Sequence, residues 1–356
     1  MQAAPAPDSV PAKDLADDPA LLRFMMAGAD RRSALFRPTA YWRAYCARIM
    51  RELDRAGLKG MRANQRLLKG FAVGGVPQPE IPDAAWKRAA WAALEKLPGI
   101  RQIAGCRQHA RLALDEIAHA FPAMRIPAGL ANGGADDAFD WRGNAVVPYF
   151  VMYLSRAADF YSRVRAHEVQ SILEIGPGLG LNSLAHIALN PELRIIVNVD
   201  IPPVLYLSTQ FLKSIEGLKV DDARAMEAPS PIVPQPIDGA VHVYQLAAWQ
   251  LPRLQGPIDF FLNAFSFQEM EHEVCGSYAA EILRVVRRGV LLHSMISGHK
   301  AGAGGQKAPV ALDFLESLFK GKFPNISRLD GFWPRLYEGD AASTRLMTAS
   351  ALSVPD

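Results

Sequence analysis

Residues 171–180 read Ser-Ile-Leu-Glu-Ile-Gly-Pro-Gly-Leu-Gly, an apolar run carrying one acid that breaks into three glycines at alternating positions. The run has the composition of a buried strand, and the glycines let the backbone turn at positive φ and admit a ligand closely. Leu181, Leu184, Ile187 and Leu189 follow at helical spacing, so a strand, a turn and a helix are predicted, with a ligand at the helix N-terminus.

The downstream chain repeats that alternation. Residues 194–200 (RIIVNVD) form a second strand candidate ending in an acid, 204–215 a helix, 241–246 (VHVYQL) a third strand and 258–264 (IDFFLNA) a fourth. A helix is predicted over 269–288, a fifth strand over 289–295, a helix over 310–319 and a terminal strand pair over 326–337 and 345–354. Strands separated by helices and short connections indicate an α/β fold with a mostly parallel sheet covered on both faces.

The first part of the chain has a different texture. Residues 1–19 are rich in Ala, Pro and Asp and read as a mobile tail. Tyr41, Trp42, Tyr45, Ile49, Leu53 and Leu58 recur at three and four residues, and two further helices are predicted over 84–97, with Trp86 and Trp91, and 100–121. Connectors rich in glycine and proline lie at 70–83 and 128–138, and 298–305 reads as a loop. A helix over 146–164 leads into the glycine-rich strand. The expected division is a tail (1–19), a helical region (20–138) and a Rossmann-like domain (139–356).

Composition narrows the classes of partner. With 39 basic and 36 acidic residues the chain carries a net charge of +3, no basic footprint for nucleic acid. Cys46, Cys106 and Cys275 form no paired motif, which argues against a zinc site and a disulfide framework and fits a cytoplasmic protein. No apolar run is long enough to span a membrane. A small-molecule partner is the natural one, and a homo-oligomer is compatible with the sequence.

The glycine spacing separates two nucleotide chemistries. A dinucleotide turn wants a small residue where bulky Leu181 stands, which disfavours a nicotinamide cofactor. Glu174 before the turn and Asp200 ending the next strand offer carboxylates to ribose hydroxyls and to a cationic ligand. An ordinary ligand-free turn, and for Asp200 a helix cap ahead of Pro202, are the competing readings. Gln245, near the end of the third strand, can reach a base edge or be a loop glutamine; Trp249 can cover that base or fill core volume. Asn263, Ser266, Gln268 and Glu269 follow the fourth strand, whose C-terminal end borders the ligand turn in such a fold. Glu269 is the favoured base if burial raises its pKa, with a first-turn acid as the alternative; His272 and His293 are rivals. Tyr149, Tyr153 and Arg156 line the cofactor or belong to the core.

LEIGPGLG followed by VNVD resembles the cofactor motif of class I S-adenosylmethionine-dependent methyltransferases. Residues 200–205 (DIPPVL) and 261–270 (FLNAFSFQEM) are similar, in the same order, to the sugar O-methyltransferase family. The resemblance covers roughly residues 140–300, with Pro177 and Ile201 as departures and no match in the helical arm. It implies a Rossmann-like methyltransferase sheet with an antiparallel terminal strand, S-adenosylmethionine as cofactor and a hydroxyl on a sugar or glycosylated product as acceptor; the sequence shows no Asp/Asn cluster like that of a magnesium-dependent methyltransferase, so no metal is expected. Cofactor contacts are expected at Glu174, Gly176, Pro177, Gly178, Gly180, Asp200, Ile201, Gln245, Asn263 and Ser266, with Glu269, His272 and His293 as catalytic candidates. An NAD-dependent oxidoreductase and a noncatalytic scaffold with a methyltransferase-like domain are the alternatives.

Overall fold

A computed structural model describes residues 13–30, 40–63, 106–135, 138–298, 306–329 and 342–350. The expected connector at 70–83, the helix at 84–97 with its two tryptophans, all but Gly298 of the loop at 298–305, residues 330–337 and 351–354 of the expected terminal strand pair, and residues 1–12 lie outside these.

The described chain begins with three helices, α1 (Pro19–Asp30), α2 (Ala40–Ala56) and α3 (Cys106–Ala120), and a short hairpin, β1 (Phe139–Trp141) and β2 (Asn144–Val146). Helix α4 (Pro148–Tyr161) follows, with Pro148 at its first turn, where the missing amide costs nothing. The rest alternates: β3 (Ser171–Ile175), α5 (Leu181–Leu189), β4 (Ile195–Asp200), α6 (Pro202–Lys213), β5 (Leu218–Asp221), β6 (Val241–Ala247), β7 (Ile258–Ala264), α7 (His272–Val285), β8 (Val286–Met295), α8 (Leu312–Phe319), β9 (Asn325–Leu329) and β10 (Ala342–Thr348).

Eight of the described strands form one sheet in the order β5-β6-β4-β3-β7-β8-β10-β9. Within it β10 runs against the rest, pairing antiparallel with β8 and β9. This is the expected mostly parallel, Rossmann-like sheet, and strand order reverses at β3, opening a crevice at the strand C-termini between β4 and β7.

Period-two alternation sends neighbouring residues to opposite layers. Ile172, Ile196, Val243 and Phe260 face α4, α5 and α6, and the core they build also holds Leu21 and Met25 of α1 and Ile49 of α2. Leu173, Val197, Leu246 and Phe261 face the other way, onto α7 and α8. The N-terminal helices therefore share one core with the sheet.

Several sequence expectations shift. The segment 13–18, which reads as tail, is packed: Leu15 is buried, the Lys13 amide donates to Asn132 Oδ1, and the Asp18 amide donates to Tyr206 Oη. The helix expected over 269–288 starts at His272, because Met270 is extended, and ends at Val285; Arg287 and Arg288 lie on β8, where both reach buried Asp259. Helix α1, the hairpin and edge strand β5 are additions to the elements expected from sequence.

Candidate functional site

The predicted strand, turn and helix are present at residues 171–189. Gly176, Gly178 and Gly180 all take positive φ (70°, 58° and 85°), a conformation that side-chain-bearing residues resist. The Gly176 amide donates to Val199 O, and the Gly180 amide donates to Pro177 O, which closes the turn. At Gly176 a methyl group would stand 2.6 Å from Ser266 Oγ and closer still to its Cβ, so the turn is pressed against the loop leaving β7.

Asn263 and Ser266 hold that contact. Both Asn263 Nδ2 and Ser266 Oγ donate to Ile175 O, at 3.1 and 2.7 Å, and Asn263 Oδ1 accepts from the Phe267 amide at 3.2 Å. Their polar groups are turned onto the backbone, so the structure places them as buttresses of the turn. Gln268 is likewise engaged, its Oε1 accepting from Ser294 Oγ and the Met295 amide.

Glu174 is enclosed. Its Oε1 accepts from Asn182 Nδ2 at 2.9 Å and its Oε2 lies 2.8 Å from Ser183 Oγ, both groups on the first turn of α5. Burial drives its pKa up to about 7, against those two hydrogen bonds. Glu174 pairs in register with Asn198, and Asn198 with Gln245. These three make a buried polar row beneath the crevice, continued by Ser208 Oγ, which donates to Gln245 Oε1 at 3.0 Å. Gln245 thus lies two residues inside the end of β6 and is fully buried, away from the loop where it would meet a base edge.

Asp200 ends β4 at the crevice. Its Oδ1 accepts from the Ile201 amide at 2.7 Å, while its Oδ2 is enclosed and has no hydrogen-bond partner among the described residues. Burial raises its pKa to about 7, the Ile201 and Gly178 amides oppose the rise, and the charges of Glu174 and Glu269 add to it. An enclosed carboxylate oxygen without a donor is costly unless a ligand supplies one, and a ribose hydroxyl is such a donor. Ile201 lies outside the strand as the cap of α6, with Pro202 and Pro203 starting the helix.

Glu269 sits on a short 3-10 turn, Phe267–Glu269, and burial raises its pKa to about 7. The crevice therefore holds three carboxylates, with Asp200 feeling the charge of both others. His272 is set apart at the first turn of α7, its ring 4.4 Å from Phe314. His293 is buried on β8, with Nδ1 2.6 Å from Thr344 Oγ1 and its ring edge-on to Phe265 at 4.4 Å. Burial, and then the charge of Arg156, hold it well below the usual histidine pKa, so it stays neutral. Trp249 packs under α1, where a Cβ on Gly28 would lie 2.9 Å from one ring carbon and closer still to the next.

Two neighbours carry no sequence signal. The charge of Asp200 raises the pKa of Cys46 on α2 and of Tyr278 on α7, behind burial in each case, so both helices come near the crevice. Asn182 and Ser183 have a weak signal as the first polar residues of the helix that follows the turn.

No family model and no curated protein matches the sequence. Similar solved structures include EvdMO1, at 17% identity over 60% of this chain and 44% of that one, with a TM-score of 0.35. Another is magnesium protoporphyrin IX methyltransferase (ChlM) from Synechocystis PCC 6803 with bound SAH, at 12% identity over 56% of this chain and 84% of that one, TM-score 0.34. A third is a SAM dependent methyltransferase from Aquifex aeolicus, at 10% identity over 55% of this chain and 89% of that one, TM-score 0.35. The matched part is thus less than half of EvdMO1.

Proposed function

We propose that this chain is an S-adenosylmethionine-dependent O-methyltransferase acting on a hydroxyl of a small, sugar-containing acceptor. The observation that carries the reading is the enclosed, donor-less Oδ2 of Asp200 beside a turn of three positive-φ glycines. A ribose diol satisfies that oxygen, and the carboxylates of Asp200, Glu174 and Glu269 set a negative field that suits a sulfonium cation and an ammonium tail.

When bound, S-adenosylmethionine supplies an electrophilic methyl group. The protein's part is positioning and proton management. Asp200 would hold the ribose end, the glycine turn at residues 176–180 lets the protein backbone approach the ligand closely, and the Asn263–Ser266 buttress fixes the turn against β7. Glu269, with its pKa near neutrality, accepts the acceptor's hydroxyl proton on a carboxylate oxygen as the oxygen becomes nucleophilic. His293 and His272 are the competing bases. The helices before residue 138 form the arm that shapes the acceptor side. Cys46 and Cys275 are buried free thiols, in keeping with a cytoplasmic placement. No described helix is long and apolar enough to cross a membrane.

Calorimetry with S-adenosylhomocysteine, run beside NADH, tests the cofactor. Binding of NADH alone overturns the reading in favour of an oxidoreductase. Incubation with labelled S-adenosylmethionine and a cell extract, followed by mass identification of the labelled product, tests acceptor and activity together; binding without any transfer would favour a noncatalytic scaffold.

A further inference from the structure

Tyr149 and Tyr153 stand on the first two turns of α4, on one face of the helix, with ring centres 5.7 Å apart. Arg156 continues the stripe, its guanidinium carbon 5.3 Å from the Tyr153 ring centre. The charge of Glu174 reaches the Tyr153 phenol, so this part of α4 lies within electrostatic range of the carboxylate near the end of β3. Both tyrosines are half-buried, and neither hydroxyl has a hydrogen-bond partner among the described residues. Other phenols of the fold differ: Tyr161 Oη accepts from Asn190 Nδ2, Tyr206 Oη from the Asp18 amide and Tyr244 Oη from the Gln235 amide. Burial raises the pKa of Tyr149 and Tyr153 against the charge of Arg156, and at Tyr153 the charges of Tyr149 and Glu174 add to the rise. Each therefore keeps its hydrogen at working pH and has it to give.

We propose that the Tyr149 and Tyr153 hydroxyls donate to the carboxylate of the cofactor's amino-acid tail. This rests on the methyltransferase reading, in which the ribose meets Asp200 at the end of β4 and the ligand crosses the turn after β3, the neighbouring strand. A ligand running that way leaves β4 behind and comes toward Glu174 and the tyrosine that feels its charge. Glu174, Asp200 and Glu269 favour a sulfonium and an ammonium but repel the ligand's own carboxylate, which also loses its water on binding. That group needs donors. Two phenols that hold their hydrogens and have no acceptor in the described protein supply them, and a hydrogen bond to a charged acceptor is stronger than one between neutral groups. Side chains serving only as core would bond their hydroxyls, as Tyr161 does, or carry none, as Phe150 and Phe160 on the same helix do not.

Two ligands that differ by one group test it on the full chain by calorimetry: S-adenosylhomocysteine and its decarboxylated form, 5′-deoxy-5′-(3-aminopropylthio)adenosine. Tyr149→Phe and Tyr153→Phe should each weaken S-adenosylhomocysteine binding about tenfold, and the double variant more, while the decarboxylated ligand binds all of them alike. Thermal melts without ligand should not move, because neither hydroxyl bonds to the protein. Unchanged S-adenosylhomocysteine affinity in the double variant overturns the proposal, and so does an equal loss for both ligands, which would mean a site loosened in general. A lower melting temperature in the unliganded double variant also overturns it, since the hydroxyls would then have a protein partner. If the decarboxylated ligand binds too weakly to measure, the loss of S-adenosylhomocysteine affinity at an unmoved melting temperature decides the matter. Failure of S-adenosylhomocysteine to bind the unmodified protein removes the methyltransferase reading itself, and the proposal with it.

Discussion

Gly176 and Ser266 touch so closely that the loop after β7 leaves room for hydrogen and nothing larger at that α-carbon; a methyl placed there would come within 2.6 Å of Ser266 Oγ and nearer still to its Cβ. Gly176→Ala therefore meets two penalties, steric overlap and a side chain at φ of 70°. Unfolding in urea should show a loss of about 2 kcal/mol or more. Ser266→Gly in the alanine background should return part of it, since it removes the Cβ that collides; absence of any recovery would locate the cost elsewhere.

That contact also marks how far the sequence reaches. The turn, its strand and the alternation of strands are readable because each is written locally, in glycine spacing and apolar periodicity. Strand β5 is not, since Leu218–Asp221 reads LKVD and owes its pairing to β6. Glu269 looks like a helix residue in the sequence because it runs without a proline into residues 272–285, and the extended pair Met270 and Glu271 breaks it from α7. Nearness to a strand end puts Gln245 at the crevice, yet register with Asn198 takes it two residues deeper. Asn263 and Ser266 attract notice for their polarity, which the Ile175 carbonyl consumes. The approach of Cys46 to Asp200 joins residues more than a hundred positions apart and has no local signature.

Asp200→Asn keeps the size of the side chain and removes its charge. If Oδ2 receives a ribose hydroxyl, S-adenosylhomocysteine affinity should fall by about 1.5–3 kcal/mol, or roughly 10- to 150-fold, as expected for a hydrogen bond to a charged group. Stability without ligand should hold or rise, because the buried charge that burial penalises is removed. Calorimetry and thermal melts separate the two effects, and an unchanged affinity would exclude Asp200 from the ribose.

Glu174 makes the stability of the ligand-free protein fall with rising pH. Its folded pKa, about 7, stands above the ordinary 4.5, so between those values the folded state holds the proton and the unfolded state does not. Its contribution is full below pH 4.5 and is lost as pH climbs through 7, by roughly 3 kcal/mol for a shift of this size. Burial sets the preference, and a protonated Glu174 keeps its contact by donating to Ser183 Oγ, which leaves the serine hydrogen for Asn198 Oδ1 at 3.0 Å. Glu174→Gln can make the same donation at every pH, so it should flatten the decline between about pH 5 and pH 8. Urea midpoints at those two values measure it, and an equally steep decline in the variant would assign the slope to Asp200 and Glu269.

Among the three candidate bases, pH separates Glu269 from His293. Glu269 ionises near pH 7, within the working range, whereas His293 is neutral far below it and can add no titration step there. Glu269→Gln keeps the side-chain size and should lower kcat by about 100-fold or more with little change in KM, the pattern of a lost proton acceptor. The rise of kcat through pH 7 should vanish with it, because the group that must ionise is gone. His293→Asn should keep that rise and alter KM instead, since its ring supports Phe265. His272→Asn should leave both nearly unchanged, as its ring rests on Phe314 at the start of α7. If the step near pH 7 persists in Glu269→Gln, Glu269 is not the base and its raised pKa reflects only its burial.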